Sequence, residues 1–280
     1  MSRAGGPIVR RGRDVVPGYR VVGLLSRGRT LDVYDVWSEE RSCRCVVKTL
    51  RPDRLDDARA RNRLLREGRL LRRLAHPHLV RAYEVIVEPR PAAVLETLTG
   101  ETLAHLVDRR SRALGGAELG ILGLQLASAL GYLHGQGVLH LDLKPSNVVA
   151  EGGRAKIIDL SVARAPGRIP PGVGTWCYLA PEQARGEVVG PEADVWGLGA
   201  TLWEAATGDA PFDDGDDGPE YPQLVRDPEP LARRRPRLPR QLSDTIDACL
   251  RAEPARRPSL AGVVRRLARV EGVPDLSRIR

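Results

Sequence analysis

The apolar residues of this 280-residue chain change their period once, at Thr99-Gly100, and that switch constrains the fold more than any other feature. Ahead of it, residues 19–25, 31–37, 44–50, 79–88 and 92–98 form β-branched or alternating runs separated by polar turns. That is the period of two expected of half-buried strands. One helical stretch interrupts them at about 59–74, where Leu64, Leu71 and Leu74 recur at helical spacing. Glu67 falls on the same apolar face, and a carboxylate there needs a partner. His76-Pro77 closes the helix. Beyond Gly100, Leu119, Leu122, Leu126, Leu130 and Leu133 mark one long helix. Further helices are predicted at about 191–207, 242–251 and 259–270, the last with Ser259 as N-cap. The chain therefore reads as α+β. A small β-rich lobe covers 19–98 and a larger helical lobe 99–273, flanked by a basic segment, 1–18, and a tail, 274–280. The crevice between lobes is the expected place of function.

Composition narrows the class. Hydrophobic residues make up 42% and charged residues 29%, the balance of a globular chain. No apolar run approaches the roughly 18 residues of a membrane helix, so no membrane span is expected. Residues 1–13 lack the apolar stretch of a secretory signal. Cys43, Cys45, Cys177 and Cys249 show neither CxxC spacing nor a histidine at zinc spacing, which points to reduced thiols and the cytoplasm. The net charge is +8, but the arginines are scattered and aromatics are only 4%, so no nucleic-acid surface is expected. Of 44 basic residues only Lys48, Lys144 and Lys156 are lysine, and the asparagines are Asn62 and Asn147. In so arginine-biased a chain, a retained lysine marks a position where a compact point charge is required.

Two of those lysines and one asparagine lie in segments that carry chemistry. His140-Leu141-Asp142-Leu143-Lys144-Pro145-Ser146-Asn147 precedes two short apolar strands joined by Glu151-Gly152-Gly153-Arg154, ending at Asp159. A hairpin there sets the start of one strand beside the end of the other, so Asn147 and Asp159 are expected to converge as hard oxygen ligands of the kind Mg²⁺ takes. Asp142 and Lys144 lie just upstream. A carboxylate, an ammonium and a metal clamp are the parts needed to move a phosphoryl group onto a hydroxyl.

In this order the motifs resemble those of the eukaryotic-type protein kinase family, bacterial serine/threonine branch, over roughly 19–270. The resemblance implies a bilobal kinase fold and a Mg·ATP-dependent protein serine/threonine kinase. Within it, Lys48 matches the lysine that holds the α- and β-phosphates and Glu67 its helix partner. Asp142 matches the catalytic base, Lys144 and Thr175 the serine/threonine-specific pair beside it, and Asn147 and Asp159 the metal ligands. Leu25, Gly28, Val33 and Val46 would line the nucleotide from the small lobe. Leu95, Glu96 and Leu98 fall at the gatekeeper and hinge, with Val149 on the opposite wall. Ala180-Pro181-Glu182 resembles the end of the activation segment, Arg257 the arginine that pairs with Glu182, and Asp194 the aspartate that braces the catalytic loop. ATP and Mg²⁺ are the implied cofactors. The implied partners are a protein substrate with Ser or Thr and a separate sensor or scaffold protein.

Three departures carry their own expectations. The glycine-rich loop keeps only Gly28, with Ser26 and Leu31 at the other glycine positions, which predicts weakened ATP binding. Leu141 replaces the arginine that receives an activation-loop phosphate, and residues 162–174 contain no Ser, Thr or Tyr. The pair of changes predicts a loop that reaches its working shape without phosphorylation. Ser161 stands where the family has glycine. The altered loop leaves a second reading open, a pseudokinase that binds nucleotide or serves as a scaffold.

Overall fold

The computed structural model describes residues 6–109, 113–213 and 219–273. The tail expected at 274–280 and most of the acidic loop at 213–218 lie outside them. Contacts divide the chain into two compact units, Met1–Thr99 with Asp159–Ser161, and Gly100–Ile158 with Val162–Arg280.

The first unit is an antiparallel sheet with one helix. Its strands are β1 (Asp14–Val16), β2 (Tyr19–Arg27), β3 (Leu31–Ser38), β4 (Cys43–Leu50), β5 (Ala82–Ile86) and β6 (Ala92–Glu96), in the order β1-β2-β3-β4-β6-β5. Alternation decides what each buries. Tyr34 and Val36 of β3 and Cys45 and Val47 of β4 are fully buried with Val94 of β6. Helix α1 (Ala58–Arg73) starts where the Asp57 side chain accepts the Ala60 N–H at 3.0 Å and ends before the extended Leu74. It buries Leu64 and Leu71, each contributing about 1.5–3 kcal/mol. Gly68 permits the close approach to β5 and β6, since a Cβ there would stand 2.9 Å from Val85 Cγ2.

Two strands are shorter than the alternation suggests. Residues 79–81 and 87–88 fall outside β5, and 97–98 outside β6. A buried leucine and valine (Leu79, Val80) extend the apolar run with a single bridge at Leu79 and no continuous ladder, so burial mimicked a longer strand there. Strand β1 had no readable pattern, being three residues long; pairing with β2 creates it.

The second unit is mainly helical. Its elements are β7 (Glu101–Thr102), α2 (Leu103–Arg109), α3 (Gly116–Gly135), β8 (Val148–Glu151), β9 (Arg154–Ile157), β10 (Gly167–Arg168), α4 (Pro181–Arg185), β11 (Val188–Val189), α5 (Pro191–Thr207), α6 (Leu231–Arg234), α7 (Arg240–Cys249) and α8 (Leu260–Leu267). Helices α3 and α5 form the centre, with α8 against the first and α7 against the second. Ser259 caps α8 by accepting the Gly262 N–H at 3.2 Å. The 20 residues of α3 are long and apolar enough to cross a membrane by length and composition. The sequence concealed this because glycines and alanines dilute its leucine stripe. Much of the helix is nevertheless buried within this unit, with Leu119, Leu126, Leu130 and Leu133 fully enclosed.

The β8–β9 hairpin sets the register that matters most. Gly152 and Gly153 both take positive φ, +56° and +79°, as a two-residue turn of this hand requires. Val148 therefore pairs with Ile157, and the Ile158 N–H donates to the Asn147 carbonyl at 3.0 Å.

Candidate active site

In the first unit a buried ammonium joins two carboxylates. The Lys48 Nζ donates to Glu67 Oε1 at 2.8 Å and to Asp159 Oδ2 at 3.3 Å. Lys48 and Glu67 are 8% and 2% exposed, so an unpaired charge on either would be costly. Burial acts to lower the Lys48 pKa, but the attraction of Glu67 and then Asp159 outweighs it and holds the ammonium above its usual range. Burial raises the Glu67 carboxyl against the pull of Lys48. Glu67 Oε1 also faces the Leu160 N–H at 3.4 Å, and Asp159 Oδ1 accepts from the Ser161 N–H at 2.9 Å. A cavity of about 420 Å³ borders this group, lined by Gly28, Leu31, Arg63, Glu67, Asp159 and others.

The nucleotide-side residues inferred for this unit lie on its sheet. Leu25 and Gly28 flank the end of β2, Val33 is on β3, Val46 on β4, and Leu95 and Glu96 end β6, with Leu98 two residues on. Strain from lost glycines does not arise. Neither Ser26 nor Leu31 has positive φ, and Gly28 donates its N–H to the Leu31 carbonyl at 2.8 Å in an ordinary tight turn. Only side-chain bulk remains of that argument.

The second unit holds Asp142, Lys144, Asn147, Thr175 and Val149. Asn147 donates its amide to the Asp142 carbonyl at 2.9 Å and to Asp142 Oδ2 at 3.2 Å. This turns its Oδ1 away as a hard oxygen donor. Lys144 Nζ lies 3.5 Å from Asp142 Oδ2 and donates to Thr175 Oγ1. Asp142 Oδ1 is buried and has no hydrogen-bond partner among the described residues. Val149, 7% exposed, lies on β8.

The loop carrying Asp142 is clamped from beneath. Asp194, on α5 and 1% exposed, accepts the N–H of His140 at 2.8 Å and of Leu141 at 2.7 Å, and His134 Nε2 lies 2.7 Å from it. These bonds hold Leu141 at φ +63°, a left-handed conformation costing a leucine about 1–2 kcal/mol. The Leu141 carbonyl then meets Gln183 Nε2 at 2.9 Å, which also donates to the Val173 carbonyl at 2.9 Å. Gln183 is 2% exposed. Its part was not legible in the sequence, where the signal is only an amide following Ala-Pro-Glu.

The segment from 162 to 175 is tied down along its length. Leu139 and Arg164 exchange backbone bonds of 2.7 and 3.1 Å, β10 pairs with β11, and the Gly172 N–H donates to the Gln183 carbonyl at 3.0 Å. Further on, Arg257 grips Glu182 with two parallel bonds of 2.6 and 2.8 Å. Its guanidinium also reaches the carbonyls of Arg251, Glu192 and Ala252 and sits over the Trp196 ring.

A family comparison decides what these groups belong to. The family model for the protein kinase domain matches residues 19–267. The chain belongs to the protein kinase domain family. Among similar proteins, serine/threonine-protein kinase PkaA of Streptomyces coelicolor is 36% identical over 238 residues, 81% of this chain and 43% of that protein. Serine/threonine-protein kinase PknB of Mycolicibacterium smegmatis is 32% identical over 251 residues, 84% of this chain and 40% of the other. Serine/threonine-protein kinase pkn3 of Myxococcus xanthus is 30% identical over 269 residues, 89% and 49% respectively. The chain spans less than half the length of these relatives. Within this kinase domain Lys48, Glu67 and Asp159 are bonded together in the first unit and Asp142, Lys144, Asn147 and Thr175 in the second, while Leu141 stands where the family motif has arginine.

The metal question can be tested on the donors. Among the described residues no group of three or more His, Cys, Asp or Glu stands close enough to hold an ion alone. The first unit offers the Asp159 carboxylate and the second the Asn147 amide oxygen, each a hard oxygen donor. Mg²⁺ suits that scarcity, because it binds through one or two protein oxygens, phosphate oxygens and water. By its chemistry, each of the two residues is a donor of the kind this ion takes.

Proposed function

We propose that this domain transfers the γ-phosphoryl group of Mg·ATP to serine or threonine hydroxyls of a protein substrate. The observation that carries the reading is Asp142 Oδ1, a buried carboxylate oxygen with no donor among the described residues. Leaving such an atom unsatisfied costs about 1–3 kcal/mol, and an incoming substrate hydroxyl removes that cost. Asp142 orients this hydroxyl and takes its proton as the new bond forms. Asn147 fixes the Asp142 carboxylate through Oδ2, leaving Oδ1 to the substrate. Lys144, held by Thr175, places a positive charge where the transferred group carries its negative charge.

Lys48 holds the α- and β-phosphates, with Glu67 keeping its ammonium in place. Leu25, Gly28, Val33, Val46, Leu95, Glu96, Leu98 and Val149 contact the nucleotide. Asn147 and Asp159 hold Mg²⁺, which when bound draws charge from the phosphate oxygens. Restriction to Ser and Thr rests on the Lys144–Thr175 pair and agrees with the relatives' names. The backbone bonds of the 162–175 segment support activity without a phosphate in that loop, since neutral contacts already order it. A cytoplasmic location follows, where ATP is abundant and the four cysteines, which form no disulfide with one another, stay reduced.

A nucleotide-binding pseudokinase finds no support in the polar groups, because Lys48, Glu67, Asp142, Asn147 and Asp159 are all present. The test is incubation of the purified chain with γ-labelled ATP, Mg²⁺ and a mixed Ser/Thr/Tyr peptide pool, followed by phosphoamino acid analysis. Phosphoserine and phosphothreonine are expected, with a loss on the order of 10²–10⁴ in Asp142→Asn. Turnover that survives in Asp142→Asn overturns the assignment.

A further inference from the structure

Helix α1 offers more to the segment around Asp159 than the Glu67 carboxylate. Arg63, Arg66 and Glu67 stand at i, i+3 and i+4, on one face of the helix. Arg63 Nε donates to the Ser161 carbonyl at 3.1 Å and its Nη2 to Ser161 Oγ at 3.3 Å. Arg66 Nη2 reaches the same carbonyl at 3.5 Å. One turn further along, Glu67 faces the Leu160 N–H. Ser161 in turn donates its N–H to Asp159 Oδ1, the carboxylate whose other oxygen faces Lys48. A chain of bonds thus runs from an exposed arginine through one serine to the aspartate.

Two residues make this possible. A glycine at 161 offers no Oγ and adds backbone freedom at the joint that aims Asp159. A lysine at 63 lacks the planar fork that meets a carbonyl and a hydroxyl together. Arg63 is itself exposed, so its side chain supports no core packing.

We propose that Arg63 and Ser161 form a latch that fixes the Asp159 carboxylate in its metal-holding orientation, with Arg63 as a positioning residue. This rests on the kinase reading above and adds to it a device for holding residues 159–161 against α1 before nucleotide arrives. Losing one to two net hydrogen bonds shifts such an equilibrium by about three- to thirtyfold.

The test uses the full chain and the variants Arg63→Ala, Arg63→Lys, Ser161→Gly and the Arg63→Ala/Ser161→Gly double, with Arg69→Ala as an exposed control on the same helix. Amide hydrogen exchange without nucleotide is read first. Arg63→Ala is expected to speed exchange at Leu160 and Ser161 about three- to thirtyfold while leaving β8 unchanged. In activity, kcat falls and the Mg²⁺ needed for half-maximal rate rises, whereas the KM for peptide stays put. Arg63→Lys restores part of each effect, and the double variant is no worse than the more affected single, as coupled partners require. Unchanged exchange at Leu160 and Ser161 in Arg63→Ala overturns the latch, as does a double variant with fully additive effects. If the wild-type chain transfers no phosphate, the kinase reading falls and the exchange rates alone decide the latch.

Discussion

Replacing Asp194 with asparagine tests how the catalytic loop is held. The carboxylate accepts two backbone N–H groups, at 2.7 and 2.8 Å, and His134 Nε2 lies 2.7 Å away, all in a site 1% exposed. Hydrogen bonds to a charged acceptor contribute about 1.5–3 kcal/mol each, though not additively. Asparagine keeps the shape and one acceptor, but its Nδ2 must face a second donor. Against this stands the roughly 1–2 kcal/mol of left-handed strain at Leu141, which is released once the loop is free. The net expectation is a stability loss of about 2–4 kcal/mol, read as a lowered urea midpoint by tryptophan fluorescence. The larger effect falls on turnover. A relaxed Leu141 moves Asp142, its neighbour in sequence, and a displacement of about 1 Å costs on the order of 10² in kcat. ATP affinity, measured by titration of the nucleotide without Mg²⁺, is expected to change less than about twofold, because Lys48 belongs to the other unit and Asn147 acts only through the metal. Wild-type kcat in a stably folded Asp194→Asn variant would refute the bracing argument; so would a parallel loss of ATP binding.

Other predictions follow from single features. Arg257→Met breaks the buried pair with Glu182, which is 3% exposed, and is expected to cost about 3–5 kcal/mol in chemical denaturation; a shift below about 1 kcal/mol contradicts the pairing. Ser26→Gly with Leu31→Gly is expected to lower the ATP KM by removing bulk, at a stability cost of about 0.5–1 kcal/mol per residue, because both are ordinary strand positions. An unchanged KM rejects the bulk argument. Phosphatase treatment is expected to leave activity intact, and a several-fold drop is the contrary result. Burial pushes the Cys249 thiol up to about 12 and Cys45, with Cys43 adding to it, up to about 11. Alkylation of the native chain at pH 8 should therefore mark Cys43 and Cys177 first. Equal labelling of Cys249, scored by peptide mass, removes that ranking.

Much of the scaffold was readable because repeating burial writes a repeating pattern. Helix α1 and the β2, β3 and β4 strands carry their period in leucines and valines. So does the switch to helices after Gly100, and the Ser259 cap is a local device that needs no distant partner. Where a pattern is short or diluted the sequence is silent or misleading. β1 exists only by pairing with β2, and α2 has too few turns to show a period. The membrane-length apolar character of α3 is spread over glycine and alanine rather than concentrated in a run.

The chemistry divides in the same way. Residue identity narrowed the candidate ammonium groups to Lys48, Lys144 and Lys156, and their place in the motif order separated the first two from the third. The Gly-Gly turn likewise fixed which end of β8 meets which end of β9. Contacts between segments far apart in the chain leave no such trace. That Leu141 is left-handed, that Gln183 ties residues 141 and 173 together, and that Arg63 grips Ser161 each depend on partners 10 to 98 residues away. A side chain's bonding partner is chosen by where the folded backbone delivers it, and a local pattern holds no information about that delivery.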